Sequence, residues 1–121
     1  MKEASELLFS FLIGQSVFTD VVGQFNNAWK LYPIAADSDV PEPFATYRIR
    51  EQSGATKDAS SFLVSLAVFF TPEKYDECVA FCDAITPVIR SHSDFEWITT
   101  EPDIDDEDGS FVSIINFKIT I

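Results

Sequence analysis

The ten residues from Ser61 to Phe70, SFLVSLAVFF, have few places to rest in a fold. Read with the two-residue alternation of a strand, Phe62, Val64, Leu66, Val68 and Phe70 fall on one face. Leu63, Ala67 and Phe69 fall on the other. Both faces are apolar, and such a strand is stable only where both are shielded from water. The segment is therefore expected at the centre of a sheet, or against another subunit through Leu63, Ala67 and Phe69.

The flanking segments follow from the same alternation. In FATYRIRE, Ala45, Tyr47 and Ile49 share one face while Thr46, Arg48 and Arg50 share the other, which predicts a half-buried strand. Gln52 to Ser60 is small and polar and reads as a hairpin loop into Ser61. Two further strands are expected over Phe95–Thr100 and Ser110–Ile121, the latter with Phe111, Ser113, Ile115, Phe117, Ile119 and Ile121 on one face. WKLYPI (Trp29 to Ile34) reads as a short extended piece that Pro33 confines to a sheet edge. AADSDVPEP (Ala35 to Pro43) reads as a loop.

Helical spacing appears where the alternation stops. Leu7, Leu8, Phe11 and Leu12 predict a helix over Glu3–Ile13 stopped at Gly14, and a short one follows from Ser16, as N-cap, to Val22. Thr71, Pro72 and Glu73 have the chemistry of a helix start, with Tyr75, Cys78, Val79, Cys82, Ile85 and Ile89 tracing a buried stripe. Pro87 predicts a kink or break in that helix. The order of elements points to an α+β fold: a mixed, mostly antiparallel sheet packed on one side by two or three helices, in a single domain spanning residues 1–121.

Charge narrows the function. Twenty acids against eight Lys and Arg give a net charge of −12, so a nucleic-acid backbone would be repelled and tight nucleic-acid binding is not expected. No stretch has the ~18 consecutive apolar residues of a membrane span, and the N-terminal apolar run carries Glu3 and Glu6 where a signal peptide is basic. Cys78 and Cys82 are read as small buried hydrophobes in a reducing compartment. No metal, cofactor or catalytic constellation stands out, and His92 is read as a residue at a helix C-terminus. An enzyme is not expected.

The acids concentrate in EPDIDDEDGS, where Glu101, Asp103, Asp105, Asp106, Glu107 and Asp108 make six of ten residues. A calcium loop fails here: with Gly109 at its sixth position, Ile104 and Ile115 fall where the first and last ligands belong. The remaining readings are a looser calcium site, a solvated turn closed by Asp108-Gly109, and a negative surface with a use, such as meeting a basic partner or keeping phosphate away.

Along nearly its whole length, from Leu7 to Ile121, the chain resembles the tail terminator or tail completion proteins of tailed phages and prophages. The likeness rests on a short helical region ending in VVGQ, then LYPI (Leu31 to Ile34), then VPEPFATYRI (Val40 to Ile49). FLVSLAVFFTPEKYDECVAFCDAI (Phe62 to Ile85) runs from strand into helix, and a terminal β-hairpin follows. SLAVFF departs from the more polar strand of similar sequences, and DIDDEDG is peculiar to this chain, which leaves the subunit contacts open. The resemblance implies a homo-oligomeric, hexameric ring in the virion tail, made in the host cytoplasm. It would dock on the tail tube protein, end tube growth and face the head–tail connector protein. A head–tail connector (neck) component and an acidic DNA-mimicking inhibitor are the competing expectations.

Overall fold

The computed structural model describes residues 1–52 and 61–121. Its elements run α1 (Lys2–Ile13), α2 (Ser16–Val22), β1 (Gln24–Phe25), β2 (Ala28–Trp29), β3 (Leu31–Pro33), β4 (Phe44–Gln52), β5 (Ser61–Phe70), α3 (Tyr75–Ser91), β6 (Phe95–Ile104) and β7 (Phe111–Thr120). β1 and β2 form a small hairpin of their own, and the other strands make one sheet in the order β3-β4-β5-β7-β6. Only the β3–β4 pair is parallel, the rest antiparallel, so the expected mixed α+β architecture is the one observed.

β5 occupies the centre, hydrogen-bonded to β4 on one edge and β7 on the other. Phe62, Val64, Leu66, Val68 and Phe70 are all buried beneath the helices. They meet Ala4, Leu8 and Leu12 of α1, Phe18 and Val22 of α2, and Cys78, Phe81, Ile85 and Ile89 of α3 in one core. β7 supplies Ile115, Phe117 and Ile119 to the same core. Polar pins fix the layers: Ser5 of α1 meets the Tyr47 hydroxyl at 3.0 Å, Thr86 of α3 meets Thr100 of β6 at 2.8 Å, and the Ser113 hydroxyl donates to the Cys78 carbonyl at 2.9 Å. α1 and α2 are bent 83° from one another, which lets both lay an apolar side on the sheet.

Several local expectations are corrected. Thr71 does not cap α3. Thr71 to Lys74 form a turn closed by the Lys74 N–H on the Thr71 carbonyl (3.2 Å), with Pro72 second and Glu73 at φ 75°, the pattern of a type II turn. The helix starts three residues later than expected, at Tyr75 with Lys74 at the cap position. Tyr75 is exposed rather than buried, edge-on to Phe111 at 5.3 Å, and the stripe instead includes Phe81. Ser16 is the first residue of α2, its cap position being Gln15.

α3 also passes through Pro87 without a break. A proline removes one helical donor, and the carbonyl left over belongs to Asp83. Asp83 and Pro87 are both exposed, so water can satisfy that carbonyl at small cost. The last difference is the length of β6, which continues to Ile104 and carries Glu101 and Asp103 into the sheet. The hairpin loop expected over Gln52 to Ser60 lies, apart from Gln52 at the end of β4, outside the described residues.

Candidate functional site

Strand alternation and register assign every strand side chain to a face. The face away from the helices carries four cross-strand rows on β4, β5, β7 and β6 in turn: Phe44, Phe69, Val112, Asp103; Thr46, Ala67, Ile114, Glu101; Arg48, Ser65, Asn116, Thr99; and Arg50, Leu63, Lys118, Glu96. Helix contacts fall on the opposite face, as the pins at Tyr47, Thr100 and Ser113 show. Leu63, Ala67 and Phe69 are half-buried, shielded from the sides by the neighbouring strands. Because β5 is paired along both edges, these three residues are available to a partner only through the face, never through a free strand edge.

The face has two characters. One end is apolar, built on Phe44 stacked on Phe69 with centroids 4.9 Å apart, beside Ala67, Val112 and Ile114. The other end is a groove of about 640 Å³ whose lining includes Arg48, Arg50, Leu63, Ser65, Ile98 and Asn116, with no carboxylate. Ile98 reaches it from a bulge in β6, where the register slips between Trp97 and Thr99. Beyond the groove, Lys118 and Glu96 pair at 3.3 Å.

The six expected acids separate into two groups. Glu101 and Asp103 stand on β6, opposite Ile114 and Val112. Asp105, Asp106, Glu107 and Asp108 make the turn between β6 and β7. The Asp105 carboxylate accepts the Glu107 N–H at 3.0 Å, and Asp108 accepts the Ser110 N–H at 2.9 Å. The backbone closes the turn, with the Asp105 N–H on the Ser110 carbonyl and the Gly109 N–H on the Asp105 carbonyl, both at 2.8 Å. Gly109 sits at φ 78°, a conformation that explains why glycine follows Asp108. The hydrogen bond from the Ser110 backbone holds the Asp108 carboxyl below its ordinary range. Asp105 and Asp108 therefore build the hairpin, while Asp106 and Glu107 project from it.

Other candidate groups have structural employment. Cys78 and Cys82 are buried and free. Burial pushes the Cys78 thiol up, which makes it a poor nucleophile. His92 ends α3, lies 4.0 Å from the Phe95 ring in a stacked arrangement, and accepts the Asp94 N–H. Among the described residues no group of three metal-ligating side chains comes together. Lys30, which sequence reasoning passed over, is buried; its ammonium donates to the Pro41 carbonyl at 3.0 Å and ties the Ala35–Pro43 loop to the sheet. Burial lowers its pKa.

A second groove runs between α2 and α3 over Val17, Val21, Ala80 and Phe81, with Asp20 and Glu77 at its rim. It has no convergent polar groups that would orient a small ligand. Compared with known proteins, the chain matches no family model and no curated sequence.

Proposed function

We propose that the chain is a structural subunit which joins copies of itself into a ring at the end of a phage tail tube, ends tube growth and presents the finished end to the head–tail connector. The observation that carries this reading is the lopsided sheet: helices seal one face, while on the other no described element covers the half-buried apolar end around Phe69 or the arginine-lined groove. A sheet with apolar residues on both sides gains stability by meeting a second body, and identical subunits in head-to-tail contact close into a ring when the rotation between them permits. In this reading Leu63, Ala67 and Phe69 lie between copies, reached through the face.

The work is mechanical, and no residue is assigned a chemical step. The Glu101 to Asp108 hairpin stands at the docking rim or lumen, and the strong negative charge lets DNA pass without the counterion-releasing contacts that would hold it. An inhibitor mimicking DNA would spread its acids along a face at phosphate-like spacing; here eight of 20 acids lie between residues 94 and 108.

The test is electron microscopy of the purified protein mixed with tail tubes grown from a purified phage tail tube protein. Rings seated on tube ends and an arrested tube length are expected. Binding to empty heads with no effect on tubes would replace this role by a neck component. A second arm changes Glu101, Asp103, Asp105, Asp106, Glu107 and Asp108 to Gln or Asn; folding should survive while docking or DNA passage changes.

A further inference from the structure

Arg48 and Arg50 stand toward one end of the open face, while the acids from Glu101 to Asp108 lie toward the other. The groove holds Arg48 and Arg50 with no carboxylate in its lining. Among the described residues the ion pairs are Lys2–Glu6 at 4.0 Å and Lys118–Glu96 at 3.3 Å, so neither arginine forms an ion pair with a described acid. In a chain with 20 acids and eight Lys and Arg, two neighbouring arginines that pair with no carboxylate among the described residues suit an anionic occupant.

The β6–β7 hairpin has the opposite endowment. From Glu101 to Asp108 it has six acids and no cation, and its Asp106 and Glu107 are exposed. Asp105 and Asp108 hold the turn in one shape, so the projecting carboxylates are preorganised. The tip of the hairpin, with Asp106 and Glu107, lies away from its own groove. The groove row contains Asn116, the hairpin begins beyond Phe111 on the same strand, and five strand residues separate them by roughly 17 Å. The two features point away from each other along the sheet.

We infer that, in the ring proposed above, the acidic β6–β7 hairpin of one copy seats in the Arg48/Arg50 groove of the next. The inference rests on the ring reading and adds the identity of the contact. Each copy offers one projection and one receptor at separate places, which is the heterologous arrangement that generates a ring. Arginine's fixed fork of donors suits carboxylates, and Leu63 and Ile98 supply an apolar floor beneath them. Sheet-to-sheet addition along β6 is disfavoured by its bulge between Trp97 and Thr99 and by Pro102 within the strand, two devices that blunt an edge. Side chains rather than a continued ladder then make the joint.

Charge exchange tests this directly. Two variants are prepared: Arg48→Glu with Arg50→Glu, and Asp106→Lys with Glu107→Lys, leaving Asp105 and Asp108 to hold the turn. Mass is measured by light scattering and sedimentation across protein concentration and salt, with circular dichroism to verify folding. Wild type is expected to assemble, more weakly in high salt, and each variant alone to need at least tenfold more protein. The two variants mixed should assemble again, because the reversed hairpin of one fits the reversed groove of the other. A single chain carrying all four changes should recover as well.

Tube capping is scored in parallel. Variants that assemble like wild type, or a mixture that stays as weak as its components, overturn the hairpin-in-groove contact while leaving the ring standing if wild type still caps tubes. Wild type that neither assembles nor caps tubes overturns the ring and this contact with it.

Discussion

Phe69→Thr separates a residue needed for the fold from one needed between copies. Phe69 is half-buried on the open face and stacks on Phe44 at 4.9 Å. Full burial of a Phe side chain stabilises by about 1.5–3 kcal/mol, so the half already buried accounts for about 1. The aromatic pair adds about 0.5–1.5 kcal/mol, and threonine keeps the strand preference intact. The dilute monomer should lose about 2 kcal/mol, which for 121 residues is a fall in Tm of about 8 °C. Phe117, fully buried on the helix face, should instead lose about 3–5 kcal/mol on change to alanine. If the exposed half of Phe69 is covered by a neighbour, each contact loses about 1 kcal/mol more. A hexamer forms six contacts in five association steps, so each step weakens by about 1.2 kcal/mol and the concentration at half-assembly rises roughly sevenfold. Urea unfolding of dilute protein gives the first quantity and sedimentation at rising concentration the second. A loss above about 4 kcal/mol would mean that Phe69 belongs to a closed core, and an unmoved assembly midpoint would remove the open face from the contact between copies.

Three further outcomes are expected. Ile34 is 61% exposed at φ 69°, a costly conformation for a β-branched residue, so Ile34→Gly should raise stability by up to about 1 kcal/mol; a lowered urea midpoint would show that its side chain is engaged. Ser113→Ala removes two buried hydrogen bonds, the hydroxyl's donation to the Cys78 carbonyl and its acceptance of the Cys78 thiol. It should cost about 1–2 kcal/mol, with Cys78 turning accessible to a thiol reagent no faster than global unfolding allows. For Asp108, the folded carboxyl is held below its ordinary range, so its contribution is present above the unfolded pKa and lost as pH falls through the folded one. Asp108→Asn should therefore flatten the acid limb of the stability curve below about pH 4, and an unchanged limb would show that the Ser110 bond does not hold in solution.

The strands were legible because one rule governs them: side chains two apart share a face, and a buried face must be apolar. That is enough to place β4, β5 and β7 and to put β5 at the centre. Where one sequence suits two local structures, the rule has no purchase. Thr71-Pro72-Glu73 has the residues of a helix start and also of a turn, and the turn is the one formed. β6 outran its expected end because an edge strand tolerates charge on its wet side, so Glu101 and Asp103 pair with β7 while still facing water. The β1–β2 hairpin carried a signal that went unread, since Asn26 and Asn27 stand at φ 53° and 65°, where paired Asn residues in a two-residue loop are favoured. The groove could not be read at all, because Arg48, Ser65 and Asn116 are neighbours only through register.

That dependence on register bears on the nature of the proposed joint between copies. Charges placed next to one another by chain order tend to repel or to pair within the chain, as Lys2 and Glu6 do. Here the sheet does something that chain order does not, bringing Arg48 and Arg50 beside Leu63 and Ser65 while carrying the acids to the far end of β6. β3 stops at Pro33 opposite Tyr47, so no described strand lies outside the arginine half of β4, and Arg48 and Arg50 are exposed. An exposed ion pair is worth little by itself, but two arginines and a rigid acidic hairpin meeting over an apolar floor lose water together, and the interaction strengthens as the dielectric falls. Salt should therefore weaken the joint without abolishing it, whereas loss of the Leu63 floor, by Leu63→Ser, should weaken assembly at every salt concentration. If added salt alone removed all assembly, the floor would have no part in the contact, and the joint would be electrostatic attraction between surfaces that never exclude water.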